Sequence, residues 1–170
     1  PLPPFGACLL GSFNLVKYVV NGDFDYAMFV KDISIVVRAM DNVIDRTIYP
    51  LPEQQAEAKA KRRMGLGLTG VANAGEMLGY PYASERFMIW MEEVMGMFRD
   101  TCYYQSAMLA KEKGPFPLYD QDKYSQGNFI QTLSPEVQEA IHLHGIRNSH
   151  LTSIAPTGTI SLTADNVSSG

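Results

Sequence analysis

The residues Arg147-Asn148-Ser149-His150-Leu151-Thr152-Ser153-Ile154-Ala155-Pro156-Thr157-Gly158-Thr159-Ile160-Ser161 restrict the fold more than any other stretch of this sequence. A short buried strand runs into Ala155-Pro156 and stops there, because proline has no N–H to give to a sheet ladder. Thr157-Gly158-Thr159 then turns the chain into a helix start. Such a junction leaves unpaired N–H groups and the positive end of a helix dipole at the turn, which suits a phosphate or another anion. Gly158 lets the backbone approach a ligand, and Thr157, Thr159 and Ser161 put three hydroxyls on the same short turn. The same residues also suit an ordinary strand–loop–helix junction with threonine caps.

Upstream, helical and extended patterns alternate. The apolar run Phe5 to Leu15 is bracketed by glycines and contains Cys8, and it reads as a buried strand with room at the thiol. From Asp25 to about Ile48, Tyr26, Phe29, Val30, Ile33, Val36, Val37, Met40, Val43 and Ile44 recur at three- and four-residue spacing, which predicts a helix ended by Tyr49-Pro50. Leu51 to Arg63 is a polar, solvated helix. Ser84-Glu85 caps a long helix carried by Phe87, Trp90, Val94, Phe98, Cys102 and Leu109 and halted by Gly114-Pro115. Leu118 to Leu133 reads as a polar, tyrosine-bearing loop. Ser134-Pro135-Glu136 opens a short helix that Gly145 closes. Strands separated by helices predict an α/β fold with parallel pairing.

Composition excludes several classes of function. Over 170 residues the net charge is -4, with 46% hydrophobic and 19% charged residues. Lys and Arg are scattered apart from Lys59 to Arg63, so no nucleic-acid footprint is expected. No apolar run approaches membrane-spanning length. Two cysteines, Cys8 and Cys102, make no disulfide framework, and the usage fits a reducing, cytoplasmic compartment. The chain opens on Pro1-Leu2-Pro3-Pro4 and ends on Ser168-Ser169-Gly170, which is read as an internal piece, truncated at both ends, of one larger domain.

No metal site is expected. Asp41 and Asp45 share a helix face, but no histidine joins them and Arg46 is the natural partner for either. His142 and His144 lie two apart on a helix and point to different faces. Gly65-Leu66-Gly67-Leu68-Thr69-Gly70 matches G-x-G-x-x-G at the opening of a helix that runs to about Leu78. A dinucleotide site would need a preceding hydrophobic strand, and a charged helix stands there, so close packing of a short strand on a helix explains the glycines better. Cys8 suits either a small core residue or a functional thiol, while Cys102 is one member of a helical core stripe.

Taken in order, Leu2-Pro3-Pro4-Phe5-Gly6-Ala7-Cys8-Leu9-Leu10-Gly11-Ser12-Phe13-Asn14-Leu15, then Met40-Asp41-Asn42-Val43-Ile44-Asp45 with Tyr49-Pro50, Arg63-Met64-Gly65-Leu66-Gly67, Arg147-Asn148-Ser149, Ala155 to Ser161 and Asp165 to Gly170 closely resemble the large catalytic subunit of ribonucleotide reductase. The resemblance covers essentially the whole chain. It implies a ten-stranded α/β barrel, with residues 1–170 part of a single catalytic barrel domain. It also implies a radical-bearing cysteine, in an N-P-C-x-E motif, just upstream of Pro1. Without that cysteine the piece is expected to be inactive alone.

The resemblance places Cys8 as one member of the redox-active cysteine pair, its partner lying outside this piece, with no Cys8–Cys102 disulfide. Ala155, Pro156, Thr157, Gly158, Thr159, Ile160 and Ser161 match the substrate-phosphate loop. The implied substrate is a ribonucleoside di- or triphosphate, and the implied reductant is thioredoxin or glutaredoxin. Nucleotide effectors would bind elsewhere in the parent, which would be a homodimer or act with a small subunit. The pattern around Cys8 and the Pro-Thr-Gly-Thr turn looks more like the adenosylcobalamin-dependent class than the class whose radical comes from a metal-containing small subunit. A non-catalytic nucleotide- or phosphate-binding module is the alternative from a different functional class.

Overall fold

The apolar stripe between Asp25 and Arg46 winds into the first long helix, α1 (Tyr26–Arg46), in a computed structural model that describes residues 2–169. Pro1 and Gly170, the outer ends of the N-terminal and C-terminal segments singled out above, lie outside the described residues. The Asp25 side chain caps α1 by accepting the Met28 N–H at 2.9 Å, and the stripe Phe29, Ile33, Val37, Met40 and Ile44 is buried. A second long helix, α4 (Glu85–Lys113), is capped by Ser84, whose Oγ accepts the Phe87 N–H at 3.2 Å, and ends at Gly114. α1 and α4 pack on one another, and the rings of Phe13, Tyr18, Phe24, Phe29, Trp90 and Phe98 interlock at one end of the contact.

These helices cover one face of a small parallel sheet. Strand β1 (Leu9–Asn14) pairs with β4 (Met64–Thr69) in the register Leu9↔Met64 to Asn14↔Thr69. The connection between them runs through α1 and the polar helix α2 (Pro52–Lys61), giving the β–helix–β crossover that parallel strands require. A separate antiparallel hairpin, β2 (Val19–Val20) and β3 (Asp23–Phe24), turns at Asn21-Gly22, both with positive φ. After β4 come α3 (Val71–Met77), α4, α5 (Gln121–Ser125), α6 (Pro135–His144) and α7 (Gly158–Thr163). Helix-rich with a few parallel strands, the chain has the expected α/β class.

The structure corrects four local expectations. The N-terminal strand spans Leu9–Asn14 rather than the run from Phe5 to Leu15, and only Phe13 in it is buried, because one edge of β1 has no neighbour among the described residues. The strand expected before Ala155 reduces to a single parallel bridge, Leu66↔Thr152, although the backbone bonds Met64 N–H to His150 O, Leu66 N–H to Leu151 O and Ser153 N–H to Leu66 O lay it along β4 as a third strand. Gly65 to Thr69 belong to β4 itself, and the helix that follows starts only at Val71. The tyrosine-bearing stretch 118–133 is not simply a loop, since Asp120 caps α5 and a 3-10 turn spans Ile130–Thr132.

Candidate active site

Side chains alternate across β1, β4 and the third strand, so the sheet has two unlike faces. Phe13, Met64, Leu66 and Leu68 are buried against the helices. The opposite face carries Leu10, Ser12, Gly65, Gly67 and Ser153 and is built from small residues. The glycines answer to the neighbouring strand rather than to a dinucleotide or a helix. A Cβ on Gly67 would lie 2.4 Å from Ser153 O, and one on Gly65 would lie 2.6 Å from Leu10 Cδ2 and 3.1 Å from Ser153 Cβ. That same Gly65 position is 3.3 Å from Cys8 Sγ, so the thiol and Ser153 stand on either side of a residue with no side chain. Two residues beyond Ser153, roughly 7 Å along an extended chain, the Ala155 to Ser161 turn begins.

Cys8 is half-buried at the head of β1 and lines a cavity of about 150 Å³ with Ile44, Thr47, Tyr49, Ala58 and Arg63. Burial pushes its thiol pKa up, and the Arg63 guanidinium pulls it back. Arg63 is fixed by Glu57, whose Oε1 accepts from Arg63 Nη1 at 2.8 Å and from Lys61 Nζ at 2.7 Å. Cys102 is a different kind of cysteine. It is fully buried in α4, and burial alone raises its pKa strongly, so nothing marks it as reactive.

At the C-terminal end of β4 the predicted turn takes shape. Thr157 sits in the left-handed region at φ 50° and precedes α7. Its first i→i−4 bond is Ser161 N–H to Thr157 O, so the N–H groups of Gly158, Thr159 and Ile160 stand at the helix start ahead of it. The three hydroxyls divide. Thr69 Oγ1 donates to Ser168 O at 2.8 Å, so the Thr157 hydroxyl is the donor in its 3.2 Å contact with Thr69 Oγ1. Ser161 Oγ donates to Gly158 O at 2.9 Å. Thr157 and Ser161 are buried, and Thr159 is exposed. A Cβ on Gly158 would meet nothing within 4 Å, which leaves open space over the turn.

A buried ionic cluster anchors the other end of the sheet, and the sequence reading did not find it. Asp41, fully buried in α1, accepts from Arg62 Nε at 2.9 Å and Nη2 at 2.7 Å, from Asn148 Nδ2 at 3.0 Å and from Arg147 Nε at 3.3 Å. Arg62 also binds Asp45 at 2.7 Å, and Asn148 is held by Ser106 of α4. Arg46, the expected partner, is exposed and takes no part in this cluster. The signal available in the sequence was the position of Asp41 on the buried stripe between Met40 and Ile44, where a charge must find a partner from another element. Among the described residues no group of three His, Cys, Asp or Glu side chains is placed to hold a metal, and no helix is long and apolar enough to cross a membrane. His142 and His144 close α6, and His142 Nδ1 lies 3.0 Å from Gln121 Nε2.

The ribonucleotide reductase barrel domain, as a family model, matches residues 3–170. The chain belongs to that family. It is 35% identical over 164 residues to the vitamin B12-dependent ribonucleoside-diphosphate reductase of Mycobacterium tuberculosis (strain ATCC 25618 / H37Rv), a match covering 96% of this chain and 21% of the relative. The vitamin B12-dependent ribonucleoside-diphosphate reductase of Thermoplasma acidophilum is 35% identical over 165 residues, covering 96% and 20%. The ribonucleoside-diphosphate reductase subunit alpha of Chlamydia pneumoniae is 32% identical over 176 residues, covering 91% and 17%. The chain thus spans about a fifth of the length of these curated relatives. The parallel pair β1–β4, its crossover helices and the third strand are a segment of the family's barrel.

Proposed function

We propose that this chain is the part of a ribonucleotide reductase catalytic subunit that supplies one reducing thiol and the phosphate seat for the nucleotide. The observation that carries the proposal is the placement of Cys8 in a cavity at the head of a reductase-barrel sheet, across Gly65 from Ser153, whose strand leads two residues on into a turn with open space beside Gly158. A nucleotide laid over Gly65, Gly67 and Ser153 would have its phosphates at 155–161 and its ribose toward Cys8. Backbone N–H groups of Gly158, Thr159 and Ile160 and the Thr159 hydroxyl would bind phosphate oxygens. Thr157 and Ser161, engaged inward, would hold the shape of the turn.

In the chemistry the family resemblance implies, a thiyl radical from another part of the parent takes the ribose 3′-hydrogen and later returns it. The 2′-hydroxyl leaves as water, and Cys8 and its partner thiol together give up two electrons and two protons and close to a disulfide. A dithiol protein of the thioredoxin or glutaredoxin type then reopens that disulfide, its own thiols becoming oxidised. The vitamin B12-dependent relatives favour adenosylcobalamin as the radical source of the parent, over a metal-containing small subunit. The cavity at Cys8, about 150 Å³, is far too small for a corrinoid. That cofactor is therefore assigned to the rest of the parent, as are the effector sites.

The test uses the intact parent protein. Deoxynucleotide formation from ribonucleotide, with a dithiol and adenosylcobalamin as the only radical source, is measured in wild type and in Cys8→Ser. Product in the wild type with loss of multiple turnover in the variant supports the proposal. Wild-type activity that appears only with a metal-loaded small subunit keeps the reductase and overturns the cobalamin assignment. An active Cys8→Ser enzyme overturns the role of Cys8. For the turn, Thr159→Ala should raise KM for the nucleotide about tenfold, as expected for one hydrogen bond to a charged phosphate.

A further inference from the structure

The relation between Cys8, Arg63 and Glu57 goes beyond the assignment of Cys8 as a reducing thiol. The register Leu9↔Met64 makes Cys8 and Arg63 neighbours at the heads of two adjacent strands, and both line the same cavity. Arg63 cannot swing away freely. Its side chain is only 14% exposed, and Glu57 on α2 holds it at 2.8 Å. Two carboxylate–cation contacts of different origin meet at Glu57, since Lys61, one helical turn on, shares the same oxygen. The charge facing Cys8 is therefore a guanidinium partly neutralised by Glu57, and changing either residue alters it in opposite senses.

We propose that Arg63 is a positioning residue for Cys8: held in place by Glu57, it keeps a positive charge at the sulfur and so sets how readily this thiol enters thiol–disulfide exchange. The proposal rests on the reading of Cys8 as a member of a redox pair. In re-reduction, a thiolate of the external dithiol attacks the partner sulfur, the S–S bond breaks, and Cys8 departs with the bonding electrons as a thiolate. The second thiolate of the external dithiol then attacks its own sulfur in the resulting mixed disulfide, that S–S bond breaks, the partner cysteine departs as a thiolate, and it and Cys8 each take up a proton. A leaving thiolate departs faster when its charge is stabilised, and Arg63 is the cation placed to do this. Other charged or titratable groups surround the site: Glu57 and Lys61 on α2, Tyr49 between α1 and α2, and His150 on the third strand. Burial disfavours protonation of His150, and so do Arg63 and Lys61.

The experiment follows the pH dependence of iodoacetamide alkylation at Cys8 in the reduced, intact parent, resolved by peptide mass spectrometry, in wild type, Arg63→Met, Arg63→Lys and Glu57→Gln. Arg63→Met should move the midpoint up by roughly half a unit to one unit, which lowers the neutral-pH rate about three- to tenfold. Arg63→Lys should restore most of the rate, and Glu57→Gln should move the midpoint the other way. A profile unmoved in Arg63→Met, or a rate left as low in Arg63→Lys as in Arg63→Met, overturns the role of Arg63. Disulfide mapping during wild-type turnover separates the two levels. If Cys8 never enters a disulfide, the underlying reading falls whatever the alkylation profile. If the disulfide is mapped and the profile does not move, only the assignment of Arg63 falls.

Discussion

Replacing Gly67 by alanine should disturb the strand that leads into the proposed phosphate turn, and the size of the effect can be worked from the packing. The added Cβ would stand 2.4 Å from Ser153 O, a backbone atom that cannot rotate aside. Ordinary carbon–oxygen contact needs about 1 Å more, so the third strand must back away from β4. It is held there by Leu66 N–H to Leu151 O and Ser153 N–H to Leu66 O, both 2.7 Å, and stretching the nearer by that much forfeits it. One lost hydrogen bond at about 1 kcal/mol and overpacking at about 1–3 kcal/mol give a local cost of about 2–4 kcal/mol. Native-state hydrogen exchange on the intact parent reads this directly, since the Ser153 amide should exchange roughly 30- to 700-fold faster than in wild type. KM for the nucleotide should rise as well, because Ala155 lies two residues on. Gly96→Ala is the control, since its Cβ would meet nothing within 4 Å in the middle of α4 and should stabilise the helix by about 1 kcal/mol. Wild-type exchange at Ser153 in Gly67→Ala would refute the close approach of the two strands.

Removing one charge from the buried cluster should be costly. Asp41→Asn leaves Arg62 and Arg147 short of a counter-charge and should destabilise by about 3–5 kcal/mol, read as faster exchange at the Met64 and Arg147 amides, whereas Arg46→Gln should stay within about 0.5 kcal/mol of wild type. Arg62 holds the Asp45 carboxyl below its ordinary range, so the folded-state pKa lies under the unfolded one. Its contribution is therefore complete above the ordinary carboxylate pKa and is lost as pH falls through the depressed value, and Asp45→Asn should flatten the acid limb of a stability–pH curve. Tyr119 buries a hydroxyl that has no hydrogen-bond partner among the described residues, so Tyr119→Phe should be neutral or raise stability by up to about 1 kcal/mol, seen as slower exchange at the Tyr119 amide.

What could be read in advance followed from periodicity and caps. α1, α4 and α6 lie close to where their apolar spacing and their Asp25, Ser84 and Pro135 signals put them, because a buried stripe and a capped end are properties of contiguous residues. The hairpin at Asn21-Gly22 is equally local, since Asn-Gly between two short extended segments is a strong signal for a primed turn. The Asp41 cluster was not legible in this way. Arg62, Arg147 and Asn148 lie 21, 106 and 107 residues from Asp41, and their meeting depends on how β4 and the third strand start beside α1. A short third strand was legible, but its reduction to a single ladder bridge was not. It also runs so close to β4 that a Cβ on Gly67 would not fit beside Ser153 O, a fact of two strands and not of one.

The two ends of the sheet are fastened by different physics, and this bears on what each can do. At the N-terminal end, Asp41, Arg62, Arg147, Asn148 and Ser106 form a largely buried cluster that ties α1, β4, α4 and the third strand together, and the loss of Asp41 leaves two cations short of a counter-charge. At the C-terminal end the fastenings are mostly neutral and partly buried, beside one exposed ion pair, Lys17 with Asp165. Asn14 Nδ2 donates to Ala164 O at 3.2 Å, Gly70 N–H to Ser168 O at 2.8 Å, and Asn73 Oδ1 accepts the Ser168 N–H at 2.7 Å. Each of these is worth about 1 kcal/mol and can be exchanged for a bond to water or to a ligand. Cys8 and Arg63 therefore sit at the end where geometry is costly to change, as the proposed pairing of Cys8 with one partner sulfur would require. The turn at 155–161 sits at the end that can adjust, as its proposed role of accepting and releasing a nucleotide's phosphates would require.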